Sequence, residues 1–136
     1  MAYFKYLLII AVVFTAASCF AQNTAASAVN LIGTWKGTSI CQVRPSPCND
    51  EVAAYHITKE IKPGIYHMVM NKVVNGKEED MGVGDYSFSA ADKTLTYIDE
   101  KRNFIVKLTV KGNAMECTMV VKNVLYRIIK LQKAQE

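Results

Sequence analysis

The chain has 136 residues, of which 51% are hydrophobic and 21% charged, with 7 Gly, 3 Pro, 4 Cys and a formal charge of +4. That length suits one domain of roughly 100–200 residues, and so apolar a composition excludes an intrinsically disordered chain. The positive balance is too small and too evenly spread for a nucleic-acid binder, which gathers Lys and Arg on one face.

Residues 1–21 have the parts of a secretory signal. Lys5 supplies the charged start, Tyr6 to Phe14 the apolar core, and a small-residue stretch runs to Cys19-Phe20-Ala21. Small residues at the two positions a signal peptidase reads place cleavage before Gln22. The apolar run is shorter than the about 20 residues a transmembrane helix needs. This reading gives a secreted or periplasmic protein. Ala17-Ser18-Cys19 also fits a lipoprotein signal, with Cys19 lipidated and the domain tethered to a membrane. Ala16 stands where that signal carries Leu, so soluble export is preferred. Residues 22–30 form a flexible lead into a single domain over 31–133.

From Leu31 onward there is no helical periodicity. Short β-branched and aromatic runs alternate with turn residues at roughly 8–12-residue spacing, the pattern of a sandwich or barrel. The runs are 31–41, 51–61, 64–74, 78–88, 93–99, 102–111, 114–121 and 124–132, which makes eight strands. Between the first two, Cys41 and Cys48 bracket Gln-Val-Arg-Pro-Ser-Pro, too proline-rich for a helix or central strand. In an oxidising compartment such a pair forms a disulfide, stapling one loop by roughly 2–3 kcal/mol. Cys117 lies in an alternating strand and reads as a small buried hydrophobe. No Cys or His pair has zinc-finger spacing, so no metal is expected.

Three turns set the register. Asn75-Gly76 is the strongest short hairpin signal; a two-residue loop there sets Val74 opposite Lys77, Met70 opposite Met81 and Met68 opposite Val83. A Gly112-Asn113 turn sets Val110 opposite Met115, Leu108 opposite Cys117, Val106 opposite Met119 and Phe104 opposite Val121. A Glu100-Lys101 turn sets Tyr97 opposite Phe104 and Leu95 opposite Val106. All three gather apolar side chains on one face. Eight antiparallel strands with short connections and one apolar face close into an all-β, up-and-down barrel, which removes exposed edges. In the last strand, a two-residue Lys122-Asn123 turn sends Val124, Tyr126 and Ile128 inward. A bulged turn instead sends in Leu125, Arg127 and Ile129, and it is preferred because it avoids exposing Leu125, Ile129 and Leu131.

The first strand opens with Leu-Ile-Gly-Thr-Trp-Lys-Gly at 31–37, and the last contains Leu-Tyr-Arg-Ile at 125–128. A Gly-x-Trp start with an Arg in the final strand resembles the calycin superfamily, which includes lipocalins and fatty-acid-binding proteins. The resemblance implies a lipocalin-like barrel in which Gly33 and Trp35 mark the closed end and Arg127 packs across Trp35. The stretch ECTMVVKNVLYR at 116–127 is loosely similar to the end of fatty-acid-binding proteins. Their Arg-x-Tyr carboxylate clamp is absent, because Tyr126 and Arg127 are adjacent and so face opposite sides. Their helical lid is absent too, with the cysteine loop in its place. Fatty-acid binding does not carry over.

The inner face expected from this register comprises Tyr55, Ile57, Tyr66, Met68, Met70, Met81, Val83, Leu95, Tyr97, Phe104, Val106, Leu108, Met115, Cys117 and Met119. Of these, Tyr55, Tyr66, Met68, Met70, Met81, Tyr97, Phe104, Val106 and Met119 form the candidate ligand site. Flexible Met side chains with aromatics suit an adaptable apolar cavity. The same residues can equally fill the barrel, since eight strands enclose just enough space for side chains or one small ligand.

His56 and His67 fall on the outer face as solvated side chains, with no third metal ligand. Asp85 has inward parity unless a bulge at Gly82 and Gly84 turns it out. In a calycin-like barrel, as the resemblance implies, the Cys41–Cys48 loop, carrying Arg44, overhangs the mouth; it is a rigid recognition element or a staple for a small core. No nucleophile triad or Gly-rich phosphate loop is present, so no enzyme, catalytic residue or cofactor is expected. Two functions stay open. One is an exported barrel binding a small hydrophobic ligand. The other is a protein-binding module, similar to small periplasmic protease inhibitors, that presents the cysteine loop to a protein partner. A monomer without nucleic acid is expected in either case.

Overall fold

The computed structural model describes residues 29–135. The export signal at 1–21, with Cys19, and residues 22–28 of the lead lie outside the described residues. The strands are β1 (Gly33–Cys41), β2 (Glu51–Lys62), β3 (Ile65–Val74), β4 (Lys77–Ser89), β5 (Thr94–Asp99), β6 (Phe104–Lys111), β7 (Ala114–Val121) and β8 (Val124–Lys133). Each pairs antiparallel with its chain neighbours, and β8 returns to β1 to close the barrel. The closing ladder runs from Trp35 opposite Lys133 to Cys41 opposite Arg127. The all-β, up-and-down architecture expected from the turns is the one found.

Local turn chemistry accounts for the tight hairpins. Asn75 and Gly76 have φ of 51° and 76°, and Lys122 and Asn123 have φ of 49° and 64°. Positive φ at both central residues is the type I′ geometry, whose twist matches that of the flanking strands. Lys62 pairs with Ile65 across Pro63-Gly64, where proline pre-sets the first turn position and Gly64 supplies φ of 75° at the second.

The register departs from the sequence expectation in three places. Val74 does face Lys77, but Met70 faces Gly82 and Met68 faces Gly84, rather than Met81 and Val83. Met81 is an extra residue without a partner on β3, and Gly82 takes the bend with φ of 141°. A slip of one residue exchanges the two faces of a strand. Gly82, Gly84, Tyr86 and Phe88 therefore point inward, while Met81 and Val83 are 43% and 56% exposed. Asp85 turns out to solvent by the same slip.

The second departure is harmless. The β5–β6 turn spans residues 100–103, so Tyr97 faces Val106 and Leu95 faces Leu108. That is a slip of two from a Glu100-Lys101 turn, and a slip of two keeps every side chain on its own face. The Gly112-Asn113 register is as expected throughout. In the third place, the two alternatives for β8 coexist. The Lys122-Asn123 turn is tight, and Met119 pairs with Arg127 while Val120 pairs with Leu125. Tyr126 is the extra residue, which sends Arg127, Ile129 and Leu131 inward and leaves Leu125 39% exposed at the rim.

Trp35, Ile57, Met68, Tyr86, Leu95, Val106, Leu108, Val110, Cys117, Ile129 and Leu131 are buried to 1% exposure or less. Cys117 is the expected small buried hydrophobe, and burial pushes its thiol pKa up to about 12. Trp35 seals the end opposite the cysteine loop, donating from Nε1 to the Leu31 carbonyl at 2.9 Å. The cation across its ring is Lys133, whose Nζ lies 5.5 Å from the ring centroid and donates to the Asn30 carbonyl at 2.7 Å. Arg127, assigned to that contact by resemblance, sits six residues along β8, roughly 20 Å away at strand rise. Gly33 belongs to the Trp35 end, where a Cβ would lie 3.1 Å from Lys133 Cε.

Closure of the barrel depends on Gly37. A Cβ there would stand 1.9 Å from the Lys130 carbonyl oxygen and 3.0 Å from Leu131 Cα. The obstacle is backbone, which cannot swing aside. Gly37→Ala is expected to cost about 2–3 kcal/mol, the range of an overpacked core, read from the urea denaturation midpoint. An unchanged midpoint would contradict the close crossing of β1 and β8.

Candidate functional site

Buried side chains run from Trp35 upward, and among the described strands the shortest ladder, between β4 and β5, parts near the mouth. Between β4 and β5 the ladder is confined to Ser87–Thr96, Phe88–Leu95 and Ser89–Thr94. The rest of β4, residues 77–86, and residues 97–99 of β5 have no partner on that side. A cleft of about 290 Å³ opens there, lined by Met70, Met81, Gly82, Val83, Tyr97, Asp99, Arg102, Phe104 and Val121.

Glycine creates this space. The β4 bulge turns Gly82 and Gly84 inward, where side chains would otherwise fill the mouth. A Cβ on Gly84 would stand 3.2 Å from both Tyr86 and Tyr97 ring atoms. The vacated volume is walled by rings: Tyr86 and Tyr97 lie 5.4 Å apart, and Tyr97 and Phe104 lie 6.2 Å apart at an interplanar angle of 67°. Tyr86 donates from its hydroxyl to Met70 Sδ at 3.2 Å, and burial raises its pKa far above the ordinary phenol value. It is a fixed, neutral donor under the cleft. Asp99 stands at the edge, accepting at Oδ1 from the Arg102 backbone nitrogen at 3.2 Å. Its Oδ2 lies 3.5 Å from Arg102 Nε, but the Arg102 side chain is 84% exposed, so the pair is screened and weak.

Arg127 forms a second polar cluster at the mouth. Its Nη1 donates to Ser39 Oγ and to the Asn49 carbonyl, both at 3.0 Å, and its Nη2 lies 3.3 Å from Glu51 Oε1. The Tyr126 ring centroid is 5.8 Å from its Cζ. This guanidinium is buried and engaged by its own fold. It ties β1, β2, β8 and the end of the cysteine loop together.

The Cys41–Cys48 disulfide is present, in a loop fixed by further bonds. Asp50 Oδ1 accepts from the Cys41 backbone nitrogen at 3.0 Å and from Arg44 Nη2 at 2.9 Å. Arg44 Nη1 donates to the Cys48 carbonyl at 3.3 Å, and Ser46 Oγ donates to the Val43 carbonyl at 2.8 Å. Beside the loop is an open hollow of about 620 Å³ that includes Thr38, Ile40, Asn49, Asp50, Val52 and Val73.

Both histidines face outward as expected, but each is tied to a β4 carboxylate rather than simply solvated. His56 Nε2 meets Glu78 Oε2 at 2.5 Å and its Nδ1 meets Thr34 Oγ1 at 3.1 Å. Hydrogen bonds from Asn71 and then His56 hold the Glu78 carboxyl below its ordinary pKa. His67 Nδ1 meets Asp85 Oδ1 at 2.7 Å. Among the described residues, no three His, Cys, Asp or Glu side chains are placed to hold a metal ion.

Of the nine residues expected to bind ligand, the cleft gathers Met70, Met81, Tyr97 and Phe104. Tyr55, Met68, Val106 and Met119 are buried in the packed core instead, and Tyr66 packs edge-on against Phe88 at 6.0 Å. Met81 reaches the cleft from the rim, not from the inner face. Sequence reasoning missed Gly82, Asp99, Arg102 and Val121 as lining, and Tyr86 as the buried residue that bonds to Met70. The available signal was Gly82-Val83-Gly84, since glycines inside a strand pattern mark a bulge.

No protein-family model matches the chain, and no curated protein matches it. Among solved structures it is similar to a redesigned beta barrel, with 17% identity and a TM-score of 0.56. The match covers 77% of this chain and 92% of that one. The likeness is one of fold.

The Arg127 cluster yields a stability test. Arg127→Ala leaves Glu51 and the Asn49 carbonyl without their partner and is expected to cost about 3 kcal/mol. Arg127→Ala combined with Glu51→Gln should cost clearly less than the two single changes together, by denaturation midpoint. Additive costs would mean that Glu51 and Arg127 are not coupled.

Proposed function

We propose that this protein is an exported barrel that binds one small, largely apolar molecule in the β4–β5 cleft. One observation carries the reading: a half-enclosed space of about 290 Å³, walled by Met70, Tyr97, Phe104 and Val121, above a core of buried side chains. Ligand sites usually measure about 300–1,000 Å³, so the occupant is small. The filled lower interior leaves no room for a long acyl chain running down the barrel axis. The disulfide supports an oxidising compartment outside the cytoplasm.

The test is methyl NMR with small apolar fragments. Met70 and Met81 methyl signals are expected to move on titration, while that of buried Met115 stays put. Val121→Trp, which fills the cleft, should weaken binding at least tenfold. Fragments that leave Met70 and Met81 unmoved would refute the reading.

A second reading, a protein-binding loop module of the protease-inhibitor kind, rests on Ile40 and Val52, which are 41% and 51% exposed beside the disulfide loop. Exposed apolar groups beside a rigid loop suit recognition of a partner. Ile40→Asp with Val52→Asp is expected to abolish partner binding while changing stability by no more than about 0.5 kcal/mol per site. A partner that stays bound to that variant would exclude the loop as the recognition surface.

A further inference from the structure

We infer that the molecule taken by the cleft is a small organic cation, an amine or methylated ammonium carried on an apolar body. This rests on the cleft being a ligand site and adds the charge of its occupant.

The walls set that preference. Tyr97 and Phe104 meet at 67°, giving two sides of a box rather than a flat stack. The face of an aromatic ring is its negative part, so the ring face that this edge-on contact leaves toward the cleft attracts a positive group. Asp99 adds a full negative charge to the same lining, and its side chain is only 21% exposed. A second carboxylate stands at the bulge, where Asp80 Oδ1 accepts from the backbone nitrogen of Gly82, itself a lining residue, at 2.6 Å. Methyl and thioether surface from Met70, Met81 and Val121 completes the enclosure and suits the apolar body of the ligand.

Arg102 is the cation that lines the cleft, and it argues for an anion only weakly. Its side chain is 84% exposed on the β5–β6 turn, and it reaches Asp99 through a single 3.5 Å contact. A ligand ammonium can take that place while Arg102 swings into water. Asp99 would keep its bond from the Arg102 backbone nitrogen, because that bond uses Oδ1 and leaves Oδ2 free to turn to the ligand. A ligand carboxylate would meet aromatic ring surface and the Asp99 carboxylate for the sake of one solvated guanidinium.

Three compounds of matched shape separate the possibilities: 2-phenylethylamine, 2-phenylethanol and phenylacetate, titrated at neutral pH against the Met70 and Met81 methyl signals. The amine is expected to bind at least tenfold tighter than the alcohol, and phenylacetate weakest. Asp99→Asn keeps the turn acceptor and removes the charge. It should cut the amine's advantage to below threefold while leaving alcohol binding unchanged. Phe104→Leu, which keeps apolar bulk but removes a ring face, should weaken the amine more than the alcohol, and Arg102→Gln should tighten the amine a few-fold. If the alcohol or phenylacetate binds as well as the amine, the cleft is a ligand site without a preference for cations, and the inference fails. If none of the three moves either methyl signal, the inference and the ligand-site reading fail together.

Discussion

The upper half of the barrel depends on a single unpaired residue. Met81 has no partner on β3, and that extra residue rotates the rest of β4 by one position. Two glycines then face the mouth, and Asp85 with Val83 faces water. The same strand keeps its ladder to β5 only at its last residues, so the wall parts where the glycines stand. Space, access and ring walls all follow from that one slip. Without it, Met81, Val83 and Asp85 would occupy the interior, and a carboxylate would be buried beneath the mouth.

The two ends of the barrel are held by different physics. At the closed end the restraint is packing: Trp35 is fully buried, its indole nitrogen is satisfied by Leu31, and Lys133 covers the ring. At the mouth the restraint is polar. Arg127 is one of few buried charged groups among the described residues, and it is held by Ser39, Asn49 and Glu51. A guanidinium so enclosed is costly to bury unless its hydrogens are used, and here the loop end supplies part of what it needs. The cysteine loop is therefore anchored twice, by its disulfide and by Arg127. That leaves the opposite wall, at β4 and β5, as the part of the mouth with the fewest internal ties. The His56–Glu78 and His67–Asp85 pairs fasten β4 to β2 and β3 from outside and do not bridge the parting.

Much of this was legible in the chain. Alternation and turn residues located all eight strands, and the Asn75-Gly76 and Gly112-Asn113 turns were placed correctly because positive φ at Asn75, Gly76 and Gly112 is a local demand. The β5–β6 turn was misjudged by two residues without consequence for which face Tyr97 and Phe104 occupy. A misjudgement of one, at Met81, put Met81 and Val83 on the wrong side. Of the candidate site residues, Met70, Met81, Tyr97 and Phe104 line the cleft, while Tyr55, Met68 and Val106 are packed beneath it. Asp99 went unseen as a lining residue because it adjoins the Glu100-Lys101 turn, where a charged side chain reads as solvated.

By itself the sequence determined the strand count, the antiparallel order, the cysteine pairing and the apolar face, since each is set by neighbours within a few residues along the chain. Tertiary structure alone decided at which residue each bulge falls, which cation covers Trp35 and where the barrel wall parts. A bulge is placed by the fit of side chains on both flanking strands, and those meet only after the sheet has closed. Arg127 and Lys133 have the same parity on β8, so no local rule distinguishes them. The shear of β8 against β1, fixed by the close approach at Gly37, sends one to the mouth and the other to the floor.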